Sequence, residues 1–274
     1  MPGWHDILLR KLQEHSTLDA EDIAALRLLP DTRKAFGAHE DIVRQGDKPD
    51  VSVVVLEGML ARYHMLRTGG RQYLSLHIAG DMPDAQTLFI DVMDHALCAM
   101  DDAVVALVPH TAFIKMFEAR PAAGFAIWRE TLIDAAIFRE AITNNSARPL
   151  QTRLAHFFCE QYYRAQAAGL ATSGSCNLPL TQTEIGETVG ASLPSISRTL
   201  LGLRDTGYMD LRGGRLHMRD WNRMVELGDF NPSYLHLRKA TLVGAGASAE
   251  ARPPLDPAGL PSAEKRRWPG QSRP

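Results

Sequence analysis

Residues 180–219, LTQTEIGETVGASLPSISRTLLGLRDTGYMDLRGGRLHMR, constrain this chain more than any other stretch. They read as a helix, a tight turn, a second helix and a short hairpin. Thr181 is placed to cap the first helix, and Glu184 three residues later completes the spacing of a capping box. Ile185, Val189, Ile196, Leu200 and Leu203 fall at helical spacing and would share one core. Gly190 stands where the chain must turn. Ser192 is placed to cap the second helix, with Pro194 tolerated in its first turn. That helix opens with Ser195, Ser197 and Arg198. Small side chains let a helix end enter a major groove, and the arginine fork matches guanine O6 and N7. Beyond Gly207, two short alternating runs flank Gly213-Gly214, a hairpin signal, with Arg212 and Arg215 at the tip. A plain αα-hairpin packed on the rest of the chain would account for the two helices but not for a hairpin with a cationic tip. The partner implied is duplex DNA. The candidate contacts are Thr181, Gln182, Ser192, Ser195, Ser197, Arg198, Arg212 and Arg215.

The pattern LTQTEIGETVG, then SISRTL, then a Gly-ended helix and a hairpin resembles the winged helix-turn-helix of the Crp/Fnr superfamily of bacterial transcription regulators over about forty residues. The Ser197-Arg198 pair is similar to the Ser-Arg pair of the fumarate and nitrate reduction branch, which helps read a TTGAT-type half-site. Many relatives carry a Glu two residues before the helix Ile. Here that position is Pro194, so the cytosine contact of a Glu is lost. The resemblance implies a homodimer on a pseudo-palindromic operator, and RNA polymerase as a further partner.

Upstream, the texture is β-like from about residue 34 to 108. The runs are Ile42-Val43, Val51 to Leu56, Leu60 to Leu66, Gln72 to Ile78 and Val104 to Val108, broken at Gly46-Asp47, Glu57-Gly58, Gly69-Gly70 and Gly80-Asp81. This spacing predicts an antiparallel barrel or jelly roll. IVRQGD, VVVLEGML and LHIAGD resemble the β-roll sensor domain of the same superfamily, with Gly46, Gly58 and Gly80 at its sharp turns. Two short helical patterns precede it, the second capped by Asp19 or Thr17.

The expected fold class is α+β. A β-roll sensor domain with N-terminal helices spans 1–120, a long dimerisation helix 121–147, and a winged helix-turn-helix domain 148–238. A disordered tail occupies 239–274, which is rich in Ala, Gly, Pro and Ser. The 121–147 helix is apolar on two sides and must bury both. One set is Phe125, Trp128, Leu132 and Ala135; the other includes Ile133, Ile137, Ala141 and Ile142. The resemblance implies that one side covers the β-roll and the other pairs with a second copy. Ile133, Ile137 and Ala141 are assigned to the partner.

The charge is uneven. Residues 148–223 carry 9 Lys+Arg against 6 Asp+Glu, whereas residues 1–147 carry 14 against 21. A modestly basic reader joined to an acidic sensor fits this balance. Three widely spaced cysteines, Cys98, Cys159 and Cys176, and no apolar run of secretory or membrane type point to a cytoplasmic protein that does not partner a membrane.

The sensor's ligand is a separate question. A buried cyclic phosphate needs a charge-assisted partner, normally an arginine. No arginine occurs between Arg71 and Arg120, where Asp81, Asp84, Asp91, Asp94, Asp101 and Asp102 stand instead. Alignment of the stretch puts Met93 and Asp94 near the relatives' Arg-Ser pair and Ala85 at their Glu. A cubane iron–sulfur cluster wants four thiolates, more than the chain has. His64, His77, His95 and His110 show no ligand spacing. No cofactor or metal is expected and no enzymatic activity. The alternatives are a cyclic-nucleotide-dependent activator and, less favoured, a metal-dependent enzyme on the β-roll using histidines and aspartates of 77–102.

Overall fold

The computed structural model describes residues 3–237; the tail assigned to 239–274 lies outside them. Helix α1 (Trp4–Gln13) buries Trp4, Leu8, Leu9 and Leu12. Helix α2 (Ala20–Arg27) is capped by Asp19, whose carboxylate accepts from the Asp22 N–H. Seven strands follow: β1 (Thr32–Phe36), β2 (Asp41–Val43), β3 (Val51–Glu57), β4 (Leu60–Met65), β5 (Arg71–His77), β6 (Ala96–Ala99) and β7 (Ala103–Pro109). They form two antiparallel sheets, ordered β1-β7-β3 and β2-β6-β4-β5. This is the expected β-roll. Gly46, Gly58 and Gly80 all take positive φ. At Gly58 a Cβ would also lie 2.5 Å from the Asp102 carbonyl oxygen, so the turn admits only glycine.

The strands β1 and β6 and the helix α3 (His110–Ala119) were not legible in the sequence. Strand β1 reads TRKAF and exposes four of its five residues. Its strand character comes from pairing with β7 rather than from an apolar alternation.

Helix α4 (Pro121–Ala147) begins with Pro at its first turn and runs for 27 residues. Its orientation corrects the sequence reading. Ala123, Ala126, Ile127, Ile133 and Ala136 are buried within the chain itself. Ile133 is only 6% exposed, so it is not offered to a partner. Ile137 and Ala141 are half-buried and line a partly open cavity. The side left open carries Phe125 (63% exposed), Trp128 (50%) and Leu132 (48%) of the first set, joined by Ile142 (69%) of the second. Ala123, Ala126 and Ile127 pack into a cluster with Leu8, Leu12, Leu26, Phe113 and Met116. With Ala135 and Arg139, the open residues step by three and four along the helix, the a/d spacing of a coiled-coil seam.

Helix α5 (Leu150–Ala167) leads into α6 (Gln182–Val189) and α7 (Leu193–Asp205), then the hairpin β9 (Met209–Arg212) and β10 (Arg215–Met218). A third strand, β8 (Ser175–Asn177), completes the order β8-β10-β9. Helix α8 (Trp221–Gly228) packs back on α5 so closely that a Cβ on Gly228 would lie 2.7 Å from the His156 amide nitrogen. The core is continuous between the halves: Tyr63, Tyr73, Leu76 and Met100 of the β-roll share one buried cluster with Leu154, Phe157 and Ile185.

Candidate nucleic-acid interface and sensor cleft

The helix-turn-helix is built by short-range chemistry. The Thr181 hydroxyl accepts from the Glu184 N–H at 3.2 Å, and the Glu184 carboxylate accepts from the Thr181 N–H at 2.7 Å. The capping box therefore forms, and it commits the Thr181 hydroxyl, which also donates to Glu184. Gly190 ends α6 in the left-handed region (φ 69°) and turns the chain. Gly186 sits within α6 where a Cβ would lie 2.5 Å from the Ala191 carbonyl oxygen, so the crossing of the two helices depends on it. Ile185, Val189, Ile196, Leu200 and Leu203 are all buried, as their spacing requires. Ser192 does hold the N-cap position of α7, but its hydroxyl bonds the Ser195 hydroxyl at 3.0 Å instead of capping a backbone N–H.

At the open end of α7, Ser195 and Ser197 are half-buried and Arg198 is exposed with no ion pair among the described residues. Gln182, the first residue of α6, is half-buried beside the cap. In the hairpin, Gly213 and Gly214 both take positive φ, as a two-residue turn between Arg212 and Arg215 demands. The two tip arginines differ. Arg212 Nε lies 2.9 Å from Asp210, a buried carboxylate that also faces Arg204 at 3.2 Å and Arg219 at 3.7 Å. Arg215 is exposed and unpaired among the described residues. The free cations of the unit are thus Arg198 on the helix and Arg215 on the hairpin. The Asp210 cluster has no short-range sequence signal beyond alternation in YMDLR, and it was missed.

The sensor half holds a second feature that the sequence did not disclose. Asp81 is buried, with Lys11 Nζ at 3.2 Å from one oxygen and Arg164 Nη2 at 2.8 Å from the other. Burial alone would raise this carboxyl, but Lys11 and Arg164 outweigh it and hold it well below the usual range. Arg164 comes from α5, so this ion pair ties the DNA-reading half to the β-roll, assisted by Arg164 donating to the Leu76 carbonyl at 2.9 Å. Arg62, buried on β4, donates to the Pro83 carbonyl at 2.6 Å and pairs with Asp134 of α4. His77 is kept neutral by burial, reinforced by Arg62. Asp84 is fully enclosed: one oxygen accepts the Val53 N–H at 2.8 Å and the other has no partner. Burial pushes this carboxyl up to about 7.

These residues crowd the space between β-roll and α4. The cavity left there, beside Arg62, His77 and Asp134, is about 30 Å³, room for a single water. The cations that reach it are Lys11 of α1, Arg62 of β4 and Arg164 of α5, and all three already have carboxylate partners. Cys98, Cys159 and Cys176 are buried thiols. Burial raises Cys98 to about 12. Among the described residues no group of three His, Cys, Asp or Glu could hold a metal ion, and no helix is long and apolar enough to cross a membrane.

Comparison with known proteins gives two family matches. A Crp-like helix-turn-helix domain matches residues 152–227, and a cyclic nucleotide-binding domain matches residues 33–120. The chain is 25% identical over 215 residues to the transcriptional activator protein FnrL of Cereibacter sphaeroides, covering 76% of this chain and 84% of that one. It is 23% identical over 225 residues to the anaerobic regulatory protein of Haemophilus influenzae, covering 81% and 86%. Among solved structures it is similar to FixK2 from Bradyrhizobium japonicum, with a TM-score of 0.66 and 23% identity over 73% of this chain and 98% of that one.

Proposed function

This chain belongs to the Crp/Fnr superfamily of bacterial transcription regulators, and we propose that it acts as a cytoplasmic homodimer that reads a pseudo-palindromic operator without a cyclic nucleotide. The observation that carries the DNA reading is the pair of free cations, Arg198 at the open end of α7 and Arg215 at the hairpin tip. An exposed helix end with small serines and one unpaired arginine suits major-groove entry and a bidentate contact to guanine. An unpaired hairpin arginine suits a phosphate. Ser195, Ser197 and Gln182 lie alongside. Arg212 contributes less, because Asp210 already holds it.

The dimer follows from α4. Its open seam of Phe125, Trp128, Leu132 and Ile142 has coiled-coil spacing and is too apolar to leave in water. Two copies joined along it would present two α7 helices to half-sites one helical turn, or a multiple of it, apart. RNA polymerase is the further partner, and no enzymatic activity is assigned.

The absence of a cyclic nucleotide rests on the cleft between β-roll and α4, which has room for about one water. The match of residues 33–120 to a cyclic nucleotide-binding domain favours the second reading, a cyclic-nucleotide-dependent activator. Calorimetric titration separates the two: no heat with cyclic AMP or cyclic GMP supports our reading, and a micromolar Kd refutes it. The DNA reading is tested by selecting an operator in vitro and measuring its affinity by fluorescence anisotropy. Arg198→Ala is expected to cost about 1–3 kcal/mol and relax one base pair. Retention of the full sequence preference in that variant would show that α7 is not the reader.

A further inference from the structure

We propose that a cavity at the junction of β5, α4, α5 and α6 binds a small uncharged molecule the size of a bicyclic aromatic carrying one N–H or O–H, and that this is where the signal enters. The cavity is about 280 Å³. An apolar cavity of about 150 Å³ holds benzene, so this one accommodates roughly ten non-hydrogen atoms. Its walls are mainly apolar, with Tyr73 and Leu76 from β5, Phe138 and Ala141 from α4, Phe157 from α5 and Val189 from α6.

The charges on its wall are already used. Arg164 is bound to Asp81 at 2.8 Å and to the Leu76 carbonyl. Glu160 accepts from the Tyr234 hydroxyl at 2.7 Å and from Gln161 Nε2 at 3.2 Å. Burial keeps His156 neutral, and its two ring nitrogens face the Gly228 carbonyl and the Tyr234 hydroxyl. A phosphate or carboxylate entering here would find no free counter-charge and would be desolvated without compensation. Among the buried side chains on its wall, one polar group is unspent. Gln161 is buried, and its orientation is fixed because the Glu160 carboxylate can only accept. Its side-chain oxygen therefore remains as an acceptor, and it selects a ligand with one donor.

The position gives the cavity its regulatory sense, which rests on the reading of the chain as a DNA-binding dimer. One wall belongs to the sensor sheet and another to α6, the first helix of the DNA reader. Ala141 and Ile142 both line the cavity, and Ile142 also stands in the open seam of α4. Filling the cavity thus acts on the reader and on the dimer helix together. The cleft between β-roll and α4, at about 30 Å³, leaves no such room.

Indole, an uncharged bicycle with one N–H, is the probe. Calorimetry on the full chain is expected to give saturable binding with a Kd of about 1 mM or tighter. Indole-3-carboxylate, which adds a charge, is expected not to bind. Ala141→Phe fills the cavity and is expected to abolish indole binding. In the unaltered protein, intermolecular NOEs should run from indole to the methyls of Leu76 and Val189, which locates the site even if the variant does not fold. No saturable indole binding, equal binding of the carboxylate, binding retained in a folded Ala141→Phe, or NOEs to other residues would each overturn the site. For the signalling role, saturating indole is expected to change operator affinity about fivefold or more. Binding with unchanged operator affinity would overturn that role. Absence of operator binding both with and without indole would instead refute the DNA reading, while the calorimetric result on the cavity stood by itself.

Discussion

The Asp81–Arg164 pair joins the two halves of the chain, and its asymmetry makes a quantitative prediction. Both side chains are over nine-tenths buried, and their nearest atoms are 2.8 Å apart. Arg164→Met removes a charge-assisted hydrogen bond and the bond to the Leu76 carbonyl. Asp81 is not orphaned, however. It keeps Lys11 at 3.2 Å and the Ile78 N–H at 2.9 Å. The lost bonds are offset in part by no longer burying a guanidinium, so the cost is about 1–2 kcal/mol. Asp81→Asn is different. The amide still accepts from Ile78, but Lys11 and Arg164 both lose their nearest carboxylate, and breaking a buried pair this way costs about 3–5 kcal/mol. Urea unfolding at pH 7 measures both, and the double variant closes a cycle. The order Asp81→Asn worse than Arg164→Met is the test. If Arg164→Met were as costly as Asp81→Asn, Lys11 would not be sharing the carboxylate and the reasoning would fail. The pH dependence has a definite sign. The folded carboxyl is depressed, so its contribution is complete above the unfolded value of about 4 and is lost as pH falls below it.

Other outcomes follow from neighbouring features. Asp84→Asn keeps an acceptor for the Val53 N–H and removes a group that burial raises to about 7. Because the raised carboxyl loses stability as pH climbs from about 4 to 7, the variant should gain up to about 4 kcal/mol at pH 8 and little at pH 3.5, read by thermal unfolding at the two pH values. Leu132→Glu on the open seam should yield a folded monomer in sedimentation at micromolar concentration, whereas Ile133→Glu should unfold the protomer by burying an unpaired charge. A folded monomer from Ile133→Glu would reverse the assignment of the two sides. Gly186→Val places a branched side chain against the Ala191 carbonyl and should destabilise by about 1–3 kcal/mol, with loss of operator binding before loss of dimerisation. Arg215→Ala should weaken DNA binding evenly across sequences and lower the salt slope by about one, and Arg212→Ala should do so less because of Asp210.

The DNA-reading unit was legible because its determinants are local. A capping box spans three residues, a left-handed glycine acts where it stands, and a two-residue turn carries its own φ requirement, so Thr181, Glu184, Gly190 and Gly213-Gly214 announce their conformations without the rest of the chain. The β-roll was legible where strands alternate and turns carry glycine, and illegible where pairing alone makes the strand, as in the exposed β1; in the hairpin sheet the three-residue β8 gives as little signal. Only the tertiary structure could choose between the two apolar sides of α4. Periodicity marks both, and the choice follows from which side the rest of the chain packs against. The ion pair of Asp81 with Arg164 spans 83 positions and the cavity draws walls from four elements, so both depend on contacts that no window along the sequence contains. Sequence fixes what a segment does alone; packing fixes which charges and faces are left for a partner.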